Sequence, residues 1–444
     1  MISRNELLKG TSLDSGVPPN CSPDPRVVLN GTCRGKPARL GLDDRLLCSH
    51  ILLLGGTGSG KTNTVSHIIS QLQRVMSSSD VMLVFDPKLD FVRFHRKDDI
   101  AVTYREQSLC RTGVWNLFKE LFADGKDIDS IFSNASELAD AVFADQLEGA
   151  SQPFFPMAAR DIFSAAVTAE VVSASERMDR FDSSRLNNKL LAEKLSLLDA
   201  GSLKVLLEPY KSLRGVLKYV GSGQSVQALG VFAELQTAAN RFLTRGFRRE
   251  GSFSVRKTVK QRGGRTLFIE YDPSCGQALR PVYQLLTDLF LKEALSPLGS
   301  GRGRVYVVCD EAGMLGRLSH FSDALNFGRS LGLCVIAGLQ SLEQLYESFG
   351  EYGGRSCAAA FQTVFCFHTN DEASRKYLSE AYGKNLSVMQ YVTPGGVSAE
   401  ECRSGFTVED WDITGLSCGE AIVGLPYHSP FRFKTELFGK RVQR

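Results

Sequence analysis

Short apolar runs rich in β-branched residues recur along the chain: Ile51 to Leu54, Val81 to Phe85, Thr266 to Tyr271, Arg304 to Cys309, Cys334 to Gly338, Thr363 to Phe367 and Glu420 to Gly424. Most are continuous, not alternating, and helical patterns follow several of them. Strands buried on both faces read this way, so the pattern predicts an α/β fold with a mostly parallel sheet covered by helices.

Between about residues 129 and 249 the pattern changes to apolar positions at helical spacing, in Ala158 to Val172, Arg185 to Leu198 and Ser225 to Phe242. Gly201, Pro209 and the glycines at 221 and 223 punctuate them, and no strand-like run interrupts. The expected organisation is a lead-in at 1–45, the first part of the α/β core at 46–128, an all-helical insertion at 129–249 and the second part of the core at 250–444. The lead-in, with Pro18, Pro19, Pro23 and Pro25, reads as a loop with short edge strands.

A chain of 444 residues with 43% hydrophobic and 23% charged residues is an ordinary globular protein, and its net charge of +3 excludes a chain-wide basic coat. Its 11 cysteines form no CxxC pair, and its 6 histidines show no HxH or HExxH spacing. A disulfide framework and a zinc or histidine metal site therefore lack support. Cys309 and Cys334 sit in apolar runs and read as small buried side chains. No run approaches 18 apolar residues, and the start, MISRNELLKG, lacks a signal-peptide core, so neither a membrane span nor a secretory leader is expected.

The chemistry begins where Ile51 to Leu54 enters Gly55-Gly56-Thr57-Gly58-Ser59-Gly60-Lys61-Thr62, followed by Asn63 and a helical pattern. This is G-x-x-x-x-G-K-[ST] between strand and helix, the context the motif requires. Glycines let backbone N–H groups curl around phosphate, the helix start adds positive potential, Lys61 bridges phosphates and the Thr62 hydroxyl ligates Mg²⁺. The strand Arg304 to Cys309 ends in Asp310-Glu311. Asp310 suits the Mg²⁺ side and Glu311 suits polarising an attacking water. Asp86, at the end of Val81 to Phe85, either holds a metal water or caps the following turn. Gln340 ends a core strand, placed to sense the γ-phosphate or orient water. Arg329 reads as a surface ion-pair member or as a finger reaching a neighbouring subunit's nucleotide.

The set GGTGSGKT (55–62), FDPKLDF (85–91), the block from Val307 to Leu345, FCFHTNDEASRKYLSEAYG (365–383) and CGEAIV (418–423) resembles the type IV secretion coupling proteins. These are the TraG/TraD-like conjugative DNA-transfer ATPases of the FtsK/HerA superfamily. The resemblance covers nearly all of the chain from about residue 40 and implies a RecA-like P-loop NTPase core with an all-α domain inserted. It further implies a homo-oligomeric ring, a hexamer in the family, that hydrolyses ATP with Mg²⁺ at subunit interfaces and threads DNA. Carried over, Lys61 and Thr62 match the phosphate-loop pair, Asp310 and Glu311 the Walker B pair, Arg329 the trans-acting arginine and Gln340 the sensor glutamine. A ring dependent on that arginine is expected to be nearly inactive as a monomer.

Relatives generally begin with transmembrane helices, and about 50 residues precede the phosphate loop here. The expectation is therefore a cytoplasmic motor, peripheral at the inner membrane only through a relaxosome, secretion-channel or nuclease partner. A HerA-like ATPase working with a nuclease in DNA processing or phage defence, and a nucleotide-gated scaffold without translocation, are the alternatives. The segment from Arg241 to Arg265 has nine basic residues and one acid, a net of +8 that leaves −5 elsewhere. Arg245, Arg248, Arg249, Lys257, Lys260 and Arg262 are the candidate DNA contacts, single- or double-stranded, in the absence of an aromatic ladder.

Overall fold

The computed structural model describes residues 2–20, 22–103, 113–176, 182, 184–271, 276–296, 303–392 and 398–439. Cys21, Cys110 and Cys275 lie outside them. In chain order the strands are β1 (Ile2–Lys9), β2 (Val27–Cys33), β3 (Lys36–Leu42), β4 (Ile51–Leu54), β5 (Val81–Asp86), β6 (Ile100–Thr103) and β7 (Arg265–Glu270). There follow β8 (Val305–Cys309), β9 (Leu333–Leu339), β10 (Thr363–Phe367), β11 (Lys384–Val392), β12 (Ser398–Phe406), β13 (Glu420–Gly424) and β14 (Phe431–Thr435). The chain packs as two units, one of Met1–Phe85, Ser300–Arg317 and Phe321–Arg444, the other of Asp86–Gly299 and Leu318–His320.

In the first unit the strands run β3-β2-β14-β13-β10-β4-β9-β8-β5. The five from β10 to β5 are parallel, and every residue of β4, β8, β9 and β10 is buried, as continuous apolar runs require. From β10 outward the pairing becomes antiparallel. The helix Lys61–Val75 follows β4 and buries Val65, Ile68, Ile69 and Leu72, one face of a 3.6-residue period. This is the α/β core expected from the sequence.

The lead-in supplies edge strands, β1 and β3, each at the end of its sheet. β2 and β3 form a hairpin turned by Arg34 and Gly35, both at positive φ, the geometry that matches strand twist in a two-residue connection. β1 pairs with β11 in a separate antiparallel sheet, β1-β11-β12.

In the second unit β6 and β7 pair in parallel, and the helices include Ile128–Glu148, Phe154–Ser175, Asn188–Leu197, Ala200–Leu207, Val226–Phe242 and Gly276–Ala294. The all-helical stretch expected at 129–249 falls inside this unit. Asp127, Asn187 and Ser225 cap three of the helices by accepting from Ser130, Leu190 and Ala228 N–H. Ile131, Leu138, Phe143, Ile162, Phe163, Val231 and Leu235 are buried there. The chain returns to this unit at Leu318–His320, where the His320 N–H and ring Nδ1 each lie 2.8 Å from one oxygen of Asp288.

Cys309 and Cys334 are buried, and burial pushes the Cys309 thiol up to about 12.

Candidate nucleotide site

β4 delivers the chain into a loop whose shape its glycines dictate. Gly58 and Gly60 have φ of 74° and 118°, values that side chains disfavour. A Cβ at Gly55 would lie 2.7 Å from the Phe367 side chain. The Ser59 Oγ is buried with no partner in the protein, a polar group that a bound anion would satisfy. Lys61 is 5% exposed, and its Nζ donates to the carbonyls of Gly55 and Gly56, the latter at 3.0 Å. The ammonium is thus held inside the loop's curve.

Asp310 and Glu311 follow β8 and are almost fully buried. β4 and β8 both flank β9, which brings the two acids level with the phosphate loop. The Thr62 hydroxyl donates to Asp310 Oδ2 at 2.7 Å. A hydroxyl beside a carboxylate is a hard-oxygen pair suited to Mg²⁺ with phosphate and water completing six ligands. Among the described residues no cluster of three or more His, Cys, Asp or Glu could hold a metal by itself. Thr62 and Asp310 fit a cation whose other ligands are phosphate and water.

Gln340 follows β9 and joins the two halves. Its Nε2 donates to Glu311 Oε2 at 2.9 Å, while its Oε1 accepts from the Thr57 hydroxyl at 3.4 Å, a long contact. The Gln340 N–H donates to Gln344 Oε1 at 3.0 Å, which fixes where the side chain begins. Asn63 lies at the start of the loop's helix, and its side chain is taken by Glu436 O and Phe438 N–H. It braces that helix against the segment after β14.

Arg329 is not with these residues. It lies in the 3₁₀ turn Gly328–Leu331, exposed, before β9, whereas Gln340 follows β9. Seven strand residues at about 3.3 Å each put the two ends of β9 roughly 20 Å apart. Arg329 and the phosphate loop thus occupy opposite ends of the same parallel strands. The arginine faces a 370 Å³ hollow lined also by Asp43, Arg45, Ser49, Gln362 and His428.

In the second unit the Asp86 carboxylate accepts from the N–H groups of Asp90 and Phe91 at 3.0 and 2.9 Å, so it caps the turn after β5. Burial pushes its acid up to about 6. The basic segment is less available than its count implies. Arg256 is 3% exposed, with its guanidinium on Glu293, Asp124 and Asn134. Lys260 lies within 3.6 Å of the same two acids, Arg241 pairs with Asp145, and Arg262 is buried. Part of the +8 is neutralised by acids distant in sequence. Arg245, Arg248 and Lys257 are exposed and Arg249 partly so.

A contact that the residue pattern left unread lies across the loop. The Cys418 thiol donates to Gly58 O at 3.2 Å and the Gly419 N–H to Ser59 O at 2.9 Å. Its sequence signal is the CGEAIV run.

The model of the type IV secretion-system coupling protein DNA-binding domain matches residues 36–412. The chain is 21% identical over 337 residues to the coupling protein TraD of Escherichia coli (strain K12), covering 75% of this chain and 43% of TraD. It is 21% identical over 357 residues to the coupling protein VirD4 of Bartonella quintana (strain Toulouse), covering 76% of this chain and 53% of VirD4. The chain thus spans about half the length of the curated relatives it matches. Among solved structures, the bacterial conjugative coupling protein TrwBdeltaN70 superposes with a TM-score of 0.69 at 21% identity, over 98% of this chain and 93% of that one. TrwB in complex with a non-hydrolysable ATP analogue gives 0.68 at 19%, over 100% and 96%. At that identity the likeness establishes the fold, an α/β fold with a large, mostly parallel sheet and a helical domain. No helix among the described residues is long and apolar enough to cross a membrane. With the family model matched over well over half of its length, the chain belongs to the type IV secretion-system coupling proteins, through their DNA-binding domain.

Proposed function

We propose that this chain is an ATP-hydrolysing motor that moves DNA, working as a homo-oligomeric ring whose nucleotide sites are completed between subunits. The observation that carries the reading is the Gln340 bridge, which ties a phosphate-loop hydroxyl to the Walker B glutamate. The solved TrwB complexes, with ATP and GTP analogues and with ADP and Mg²⁺, support nucleotide and magnesium as the ligands.

The loop N–H groups and Lys61 hold the triphosphate, and Thr62 and Asp310 hold the cation side. When bound, Mg²⁺ supplies charge neutralisation on the transferring phosphoryl group. Glu311 accepts a proton from the attacking water, and Gln340 fixes the carboxylate oxygen that does so. Arg329, about 20 Å from its own loop, serves the site of a neighbouring subunit, and this is why a ring is required. The exposed Arg245, Arg248 and Lys257, with the partly exposed Arg249, contact DNA phosphates without reading sequence.

The test is Mg²⁺-dependent ATPase activity with and without DNA, with particle size measured with and without ATP. Turnover is expected to rise with DNA and to disappear in Lys61→Ala and Glu311→Gln. Full activity in both variants, or turnover indifferent to any nucleic acid, would refute the motor.

A further inference from the structure

For the amides of a phosphate loop to point inward, the intervening carbonyls must point outward, and outward carbonyls need donors of their own. Here the donors for the middle of the loop come from the turn Ser417–Glu420, some 360 residues away along the chain. Gly58 O accepts the Cys418 thiol at 3.2 Å and Ser59 O accepts the Gly419 N–H at 2.9 Å. A Cβ at Gly60 would lie 2.8 Å from Gly419 Cα, so at this point the two backbones are packed against each other.

The turn is itself braced. Ser417 N–H and Oγ both donate to Glu420 Oε2 at 3.1 and 2.9 Å, and Lys434 Nζ donates to Ser417 Oγ at 3.1 Å. The Thr435 N–H holds Gly419 O at 3.0 Å, and Gly419 has φ of 79°, which suits glycine alone. The turn is thus pinned from β14 where it meets the glycine-rich loop.

Resting on the reading of this loop as the nucleotide site, we propose that Cys418 and Gly419 are positioning residues of that site: the loop keeps its triphosphate-binding curl only while this turn is docked on it. Cys418 is exposed, so its thiol reports the docking and offers a place to break it. A bulky group on Sγ removes the donor and wedges the turn off Gly58.

The experiment uses the whole chain and iodoacetamide. The S–H bond of Cys418 is replaced by S–C to the acetamide methylene, with iodide and a proton leaving. Cys402, exposed on β12, serves as internal control. Mg²⁺-ATP is expected to slow alkylation of Cys418 and not of Cys402, read by peptide mass spectrometry, and the protein alkylated at Cys418 is expected to lose affinity for a fluorescent ATP analogue. Cys418→Ala should weaken binding about fivefold, the loss of one hydrogen bond of about 1 kcal/mol, and Cys418→Ser, which keeps a donor, should restore it. Equal alkylation rates with and without ATP, or unchanged affinity after alkylation, would overturn the inference even if the alanine variant fails to fold. If the unmodified protein binds no nucleotide, the site reading falls and the inference with it. Protection by ATP without DNA-stimulated turnover would overturn the motor alone.

Discussion

Removing the Gln340 side chain tests the catalytic geometry most directly. In Gln340→Ala the Glu311 carboxylate, 3% exposed, loses a donor at 2.9 Å. A hydrogen bond to a charged group contributes about 1.5 to 3 kcal/mol. If the bond serves to aim Glu311 at the attacking water, that energy appears in the barrier, and at about 1.4 kcal/mol per decade the hydrolysis step slows about 10- to 150-fold. Nucleotide affinity should barely move, because the contact to Thr57 is long at 3.4 Å and the Gln340 N–H bond to Gln344 survives. Gln340→Glu should do worse, since it sets a second carboxylate against Glu311. Single-turnover quench-flow gives the rate, and equilibrium titration gives the affinity. A rate within about twofold of the parent, or a rate and affinity that fall together, refutes the assignment.

Mixing Arg329→Ala with Glu311→Gln subunits should restore ATPase activity that neither shows alone, because an interface can then combine an intact Glu311 with a neighbour's Arg329. No gain in the mixture excludes a shared site. His320 has its pKa raised by the hydrogen bond to Asp288, with Glu137 adding to the rise and Lys292 opposing it. The clamp's stabilisation is therefore full below the unfolded histidine value, near 6.5, and is lost as pH climbs through the higher folded value. Melting curves of the parent minus Asp288→Asn should show a difference that shrinks over that window. Arg256→Ala leaves the buried Glu293 with the more distant Lys260 at 3.6 Å and should cost up to about 3 kcal/mol by urea unfolding, while a surface arginine such as Arg248 should cost nearly nothing when removed.

Seven strands were legible because their burial leaves an unbroken apolar signature, as in Ile51–Leu54 and Val305–Cys309. β11 and β12 carry no such signature, since residues such as Glu400, Glu401 and Arg403 are exposed and polar. Pairing between β1 and β11 joins segments more than 370 residues apart, which no local pattern encodes. The phosphate loop and Asp310-Glu311 were readable because their chemistry is tied to short motifs. What Gln340 touches was not, because Thr57 and Glu311 come from two other stretches of chain. The charge count of the basic segment carries no information on pairing: Arg256 and Lys260 lie against Asp124 and Glu293, acids over 30 residues away in the sequence.

The position of β4 sets the order in which a ribosome can deliver a working protein. Its two neighbours, β9 and β10, are synthesised some 280 to 310 residues after it. The second unit, apart from Leu318–His320, is complete once Gly299 has emerged. Its helices can pack while the strand that leads to the phosphate loop still lacks both partners, as domains tend to do during synthesis. A finished sheet around the phosphate loop is therefore a late property of the nascent chain, and a polypeptide stalled before Thr363 has helices to fold but no complete set of strands beside that loop.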